Sequence, residues 1–162
     1  VVNSASRCAG FLRKKFDTRM SMECAEPELV RRFIDAGDSI AALYEAREFN
    51  RAMREIITLA DRANQYIDEK KPWVMAKDDA LVDEVQAVCS VGINLFRVLA
   101  TYLKPVLPAM AEKSEAFLQH SLDWTALNAP LIDHQLATFE PLLQRVDAEV
   151  VAAMVEASKS GV

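Results

Sequence analysis

Trp73 follows Pro72 where a long helical pattern, Phe49 to Lys71, stops. Proline ends such a pattern because it lacks a backbone N–H and its ring crowds the preceding turn. The tryptophan sits in polar surroundings, with Asp68, Glu69, Lys70 and Lys71 before it and Lys77, Asp78 and Asp79 after it. It is either a plug between helices or a presented aromatic face, and tryptophan as a type is highly buried. Presented faces stack unpaired nucleic-acid bases. Near the start of the chain, Asn3 and Arg7 are four residues apart. On a helix that spacing places one above the other, so both can address a single ligand. An amide offers a donor and an acceptor, and a guanidinium a planar fork of donors, which suits base edges and phosphates. The plain alternative is a solvated polar face. Arg13, Lys14 and Lys15 add positive charge along the same helix and are candidate phosphate contacts.

The inventory for catalysis is thin. His120 and His134 are the two histidines, and neither is spaced to a nucleophile. Glu45, Glu48, Asp68 and Glu69 lie beside Arg and Lys, as solvated charge pairs do. No Gly-rich phosphate loop is present, and Gly92 stands alone in a buried-looking helix. An active site in this chain is not expected. Cys8, Cys24 and Cys89 are odd in number and show no Cys-x-x-Cys spacing, which argues against a disulfide scaffold and a zinc site. Free thiols suit a reducing cytoplasm.

The elements that must position these residues are helical. At 162 residues, 51% hydrophobic, with four Gly and six Pro, the chain is expected to form one all-α domain over residues 1–162. An apolar stripe of Val1, Ala5, Cys8, Leu12 and Phe16 gives a first helix, and Asn3, Arg7, Gly10 and Lys14 lie about 180° away at roughly 100° per residue. Pro27 opens a second helix running to about Glu48, with Gly37 as a weak point. Its inward candidates are Leu29, Phe33, Ile34, Ile40, Ala41, Leu43 and Tyr44. A third helix carries Phe49, Met53, Ile56, Ala60, Ala63 and Ile67, with Asn50 as a possible cap, and Pro72 ends it. A fourth starts near Asp79 or Leu81 and is the most apolar stretch, up to Leu103. Pro105 and Pro108 break the pattern before a shorter helix from Met110 to His120. Residues 123–141 read as irregular, and a last helix is expected from about Asp147 to Ser158. About five helices in an antiparallel bundle would bury these stripes.

No apolar run is expected to reach a membrane span. The net charge of −5 argues against indiscriminate nucleic-acid binding, yet Arg7, Arg13, Lys14, Lys15 and Arg19 face only Asp17 within the first twenty residues. The front of the chain is therefore locally positive. A pattern already helical at Val1 reads as a piece of a longer protein.

The same residues carry a resemblance. Val1-Val2-Asn3-Ser4-Ala5-Ser6-Arg7 followed by Gly10-Phe11 resembles the first helix of the anticodon-binding domain of bacterial methionyl-tRNA synthetase. The run from Ala60 through Ala63-Asn64-Gln65-Tyr66-Ile67-Asp68-Glu69-Lys70-Lys71-Pro72-Trp73, with Lys77, is similar to that family's third helix and its Pro-Trp exit. Gly92-Ile93-Asn94-Leu95-Phe96-Arg97 and Leu103-Lys104-Pro105-Val106-Leu107-Pro108 resemble its fourth helix. The Asn-x-Tyr…Pro-Trp element also occurs in related class I synthetases for Ile, Leu and Val, so these remain an alternative, as does a non-catalytic protein-interaction bundle. Ser4, Cys8 and the segment around Phe139–Val146 depart from the family pattern.

The resemblance implies that Trp73 stacks on the first anticodon base, a cytosine, and that Asn3 and Arg7 bond base edges to select CAU. It implies tRNA(Met), initiator and elongator, as partner, together with a catalytic domain of the same chain and no membrane. The parent enzyme would use ATP, with zinc in a domain absent here. The His-x-Gly-His and Lys-Met-Ser-Lys-Ser elements and the zinc knuckles do not occur, so this part is expected to bind no cofactor of its own and to be inactive alone.

Overall fold

A computed structural model describes residues 2–127 and 129–137, with residues 2–4 and 126 described by backbone alone. The last expected helix and the segment around 139–146 lie outside the described residues. Seven α-helices are described: α1 (Val2–Phe16), α2 (Pro27–Asp35), α3 (Gly37–Glu45), α4 (Phe49–Lys70), α5 (Pro72–Met75), α6 (Val82–Leu103) and α7 (Pro108–Leu118). Short 3₁₀ turns cover Asp79–Leu81 and Trp124–Ala126. Among the described residues there is no strand, and one isolated bridge joins Arg19 to Gln135. The fold is an all-α helical bundle.

The bundle is organised around α6. Its residues from Val88 to Leu103 are nearly all buried, and α1, α2, α4, α5 and α7 all pack on it. The α1 stripe behaves as its periodicity predicts, since Ala5, Cys8 and Leu12 are buried and Phe16 is half-buried; Ala9 joins them. Arg7, Gly10 and Lys14 are exposed on the other side. The segment Asp79–Leu103 is long and apolar enough to cross a membrane, which the sequence reading does not anticipate. Of its most apolar 18-residue window, 89% is buried inside the protein, as the central helix of a bundle is.

Several boundaries differ from expectation, each for a local reason. The expected second helix is two helices, because the chain breaks at Ala36 and restarts at Gly37. The Tyr102 hydroxyl donates to the carbonyls of Phe33 and Ile34 at the end of α2, where the chain turns into α3. Gly37 is what admits that hydroxyl, since a Cβ there would lie 3.1 Å from it and 3.0 Å from Trp124 Nε1. Asn50 does not cap α4; Glu48 takes that position without a side-chain bond. Phe49 lies outside the core, 49% exposed, with its ring 6.0 Å from Tyr44. Pro108 opens α7 instead of only interrupting the chain, a place where its missing N–H costs nothing. That helix ends at Leu118, with Gln119 left-handed at φ 50°.

The described residues between 123 and 137 have little regular structure, as expected of 123–141, but they are firmly tied. Asn94 and Arg97, 2% and 4% exposed on α6, hold the returning chain. Asn94 Nδ2 donates to the Leu131 carbonyl at 3.0 Å, and the Leu131 N–H donates to Asn94 Oδ1 at 2.7 Å. Arg97 donates to the Ala129 carbonyl at 2.7 Å. The amide thus pairs with backbone as a neighbouring strand would, which satisfies two buried groups at once.

Candidate nucleic-acid interface

The path of the chain out of α4 decides where Trp73 points. Lys71 adopts a left-handed conformation, φ 50° and ψ 63°, and donates its N–H to the Ile67 carbonyl at 2.8 Å. The helix therefore closes at Lys71, one residue earlier than Pro72. Pro72 is buried and serves as the first residue of α5. Sequence reasoning locates the break but assigns the proline only its stopping role. The proline also starts a new turn, and Trp73 is the second residue of that turn.

Trp73 is half-buried and packs against the core on one side. The two sequence alternatives, plug and presented face, are thus each partly met by one side chain. Arg7 of α1 places its guanidinium carbon 4.9 Å from the centre of the Trp73 ring. A cation over an indole face is attracted by the ring quadrupole, by about 0.5–1 kcal/mol at exposed sites. The N–H donors of a guanidinium lie in its own plane and suit an acceptor placed beside the ring. The structure therefore brings together two residues 66 positions apart that the sequence nominates separately. Val74, 52% exposed, extends the apolar surface next to Trp73.

Asn3 stands in α1 one turn before Arg7, and its side chain is outside the described residues. The three basic candidates at the end of α1 divide. Arg13 and Lys14 are exposed. Lys15 donates to the Ala76 carbonyl at 2.9 Å, which fastens the end of α5 to α1. Positive side chains in the last turn of a helix also suit the negative end of its dipole. Arg19, counted in the positive front, is engaged by Asp133 at 2.8 Å. That contact holds the Asp133 carboxyl below and the Arg19 guanidinium above their ordinary pKa values, through the side-chain bond first and charge second.

Groups outside this surface have structural partners. His134 bonds the Leu118 carbonyl and His120 the Ser121 carbonyl, with the two rings 6.0 Å apart. Glu48 pairs with Arg51 at 3.0 Å. Cys8, Cys24 and Cys89 are free thiols; the bond with Cys8 and then burial push the Cys89 thiol well above its ordinary pKa. Among the described residues no three His, Cys, Asp or Glu side chains form a group that could hold a metal ion. The buried polar pair Asn94 and Arg97 was the feature sequence reasoning missed. Its signal was an amide and a guanidinium three residues apart inside the most apolar helix.

Comparison with known proteins gives this surface a context. The model of a family described as the anticodon binding domain of methionyl tRNA ligase matches residues 19–155, a span that contains Trp73 and begins after Arg7. The fold is similar to that of Mycobacterium tuberculosis methionyl-tRNA synthetase in its apo, free-state form, with a TM-score of 0.73 and 20% identity over 85% of this chain and 31% of that one. The same enzyme in complex with methionyl-adenylate gives a TM-score of 0.72 and 20% identity, over 86% and 30%. At that identity the likeness concerns the fold, and this chain spans less than a third of the length of those enzymes. The family match covers most of the sequence, and so the chain belongs to the family of anticodon-binding domains of methionyl-tRNA ligase.

Proposed function

We propose that this chain reads the CAU anticodon of tRNA(Met), initiator and elongator alike, as the anticodon-binding module of a cytoplasmic methionine–tRNA ligase. The observation that carries the reading is the Arg7–Trp73 contact, a cation and an aromatic ring gathered at one place on the surface. The first anticodon base, a cytosine, stacks on Trp73, while Arg7 and Asn3 bond the edges of anticodon bases. Arg13 and Lys14 face the phosphates, with a lesser part for Lys15. Stacking supplies about 1–3 kcal/mol per base, and splayed single-stranded bases are recognised by stacking with edge contacts. In this reading ATP and zinc belong to the other domains of the synthetase; the described residues offer zinc no ligand set.

The test compares an anticodon stem-loop carrying CAU with one carrying a changed first base, for the wild-type chain and for Trp73→Ala. The wild-type chain is expected to prefer CAU, and the variant to lose the preference while remaining helical by circular dichroism. Equal affinity of the wild-type chain for both loops would overturn the reading. Because Trp73 packs partly on the core, the variant is also expected to melt at a lower temperature.

A further inference from the structure

Glycine in the middle of a helix is unfavourable relative to alanine, so one at the centre of the most buried helix calls for a packing reason. Gly92 is that residue in α6. A Cβ on Gly92 would lie 2.8 Å from Cys8 Sγ and 3.1 Å from Ile67 Cδ1. The first distance is shorter than atoms in contact can sustain, so something must shift, and Cys8 is fully buried against α6. The second involves the tip of a side chain, which can turn aside.

The two neighbours matter because of what adjoins them. Cys8 is the residue after Arg7 on α1. Ile67 is on the last turn of α4, and its carbonyl accepts the Lys71 N–H that closes the helix just before Trp73. The floor made by Gly92 therefore supports the helix that presents Arg7 and the turn that presents Trp73. We propose that Gly92 is a positioning residue for base recognition: the missing side chain sets how closely α1 and the end of α4 sit on α6, and so holds Arg7 over Trp73. This inference rests on the anticodon-reading function proposed above. A Cβ at 92 lifts α1 by its Cys8 contact and moves the guanidinium away from the ring.

The sulfur of Cys8 makes the idea separable from general destabilisation. With Cys8 shortened to alanine, the α1 atom left facing a Cβ at 92 is the residue-8 Cβ, 3.9 Å away, an ordinary contact, and the Ile67 Cδ1 tip at 3.1 Å is the neighbour that must turn aside. Three chains decide the matter: wild type, Gly92→Ala, and Gly92→Ala with Cys8→Ala. Each is titrated with the CAU stem-loop and with the changed-base loop. Acrylamide quenching of Trp73 is measured without RNA in a Trp124→Phe background, which leaves Trp73 as the remaining tryptophan.

In Gly92→Ala the ratio of the two dissociation constants is expected to fall about fivefold or more, the loss of one stacked base. Quenching of Trp73 is expected to rise, and the double variant to recover both properties. Unchanged discrimination and quenching in Gly92→Ala overturn the proposal, as does a loss that Cys8→Ala fails to restore. Should Gly92→Ala not fold, a folded and discriminating double variant supports the proposal, and an unfolded double variant overturns it. Should the wild-type chain show no preference for CAU, the functional reading fails; the quenching series then still decides the role of Gly92 by itself.

Discussion

In the proposed reading Arg7 and Trp73 act as one contact. The guanidinium carbon lies 4.9 Å from the ring centre of a half-buried tryptophan that also packs on the core. Replacing Arg7 by leucine is expected to leave the fold intact, because the residue is exposed and the contact contributes only about 0.5–1 kcal/mol. It should nevertheless weaken CAU binding about tenfold, as loss of a charge-assisted bond does. Isothermal titration with the stem-loop, together with a melting curve, checks this. A large fall in melting temperature would instead make Arg7 a structural residue. Much of this site was legible in the sequence: Arg7 from its phase against the apolar stripe, Trp73 from its place after Pro72. The half-burial of Trp73 was not, because the left-handed Lys71 that turns the chain carries no sequence mark of the kind a glycine would.

At the scale of elements, α6 does more than fill the core. Asn94 and Arg97 reach out of an apolar helix to hold residues 129 and 131. Asn94→Ala leaves the Leu131 N–H and carbonyl without that partner, and a stability loss of about 1–3 kcal/mol is expected in urea unfolding. The turn after α7 has a similar anchor in Glu115. Its carboxylate accepts from the Leu122 N–H at 2.8 Å, from Ser121 Oγ at 3.2 Å and from Lys104 Nζ at 3.4 Å. These bonds, led by the backbone N–H, hold its pKa below the ordinary 4.5. A carboxyl depressed on folding contributes stability that is present above pH 4.5 and fades as pH falls through its folded value. Glu115→Gln should therefore lower the melting temperature at neutral pH and flatten its decline below pH 4.5. The helices themselves follow from apolar spacing. The Asn94 and Arg97 ties escape such a reading because spacing reports which side faces inward, not that a polar side chain on that side has a backbone partner 32 or 37 residues away. The α2–α3 break escapes it for the same reason, since a distant hydroxyl occupies it.

For the whole molecule the proposed function asks how a chain of net charge −5 would meet a polyanion. Positive side chains outnumber acidic ones in the first twenty residues, but two of them are committed to the fold, Lys15 to Ala76 and Arg19 to Asp133. Arg13 and Lys14 remain exposed. A small number of phosphate contacts should give a shallow dependence of affinity on salt, about −0.7 in log–log slope per contact with single strands. Lys14→Gln is expected to reduce the slope by about one such step and to weaken CAU and changed-base loops equally. Lys15→Gln should change the slope less. Equal slopes for all three chains would remove the phosphate role from α1.

The tie between Arg19 and Asp133 spans 114 residues, and the Leu136 N–H reaches back to the Thr18 carbonyl. α1 is made well before the residues that complete the fastening of its far end, more than a hundred positions later. Contacts of such long sequence separation form slowly, since the intervening loop must close before they stabilise anything. The helix that carries Arg7 is therefore held by α6 and by the Lys15–Ala76 bond well before its last ties, at Asp133 and Leu136, can form. A nascent chain halted before residue 129 would lack the Ala129 carbonyl that Arg97 holds and the Leu131 groups that Asn94 pairs with. The surface that carries Arg7 and Trp73 is thus fully fastened only once residues 129–136 have been made.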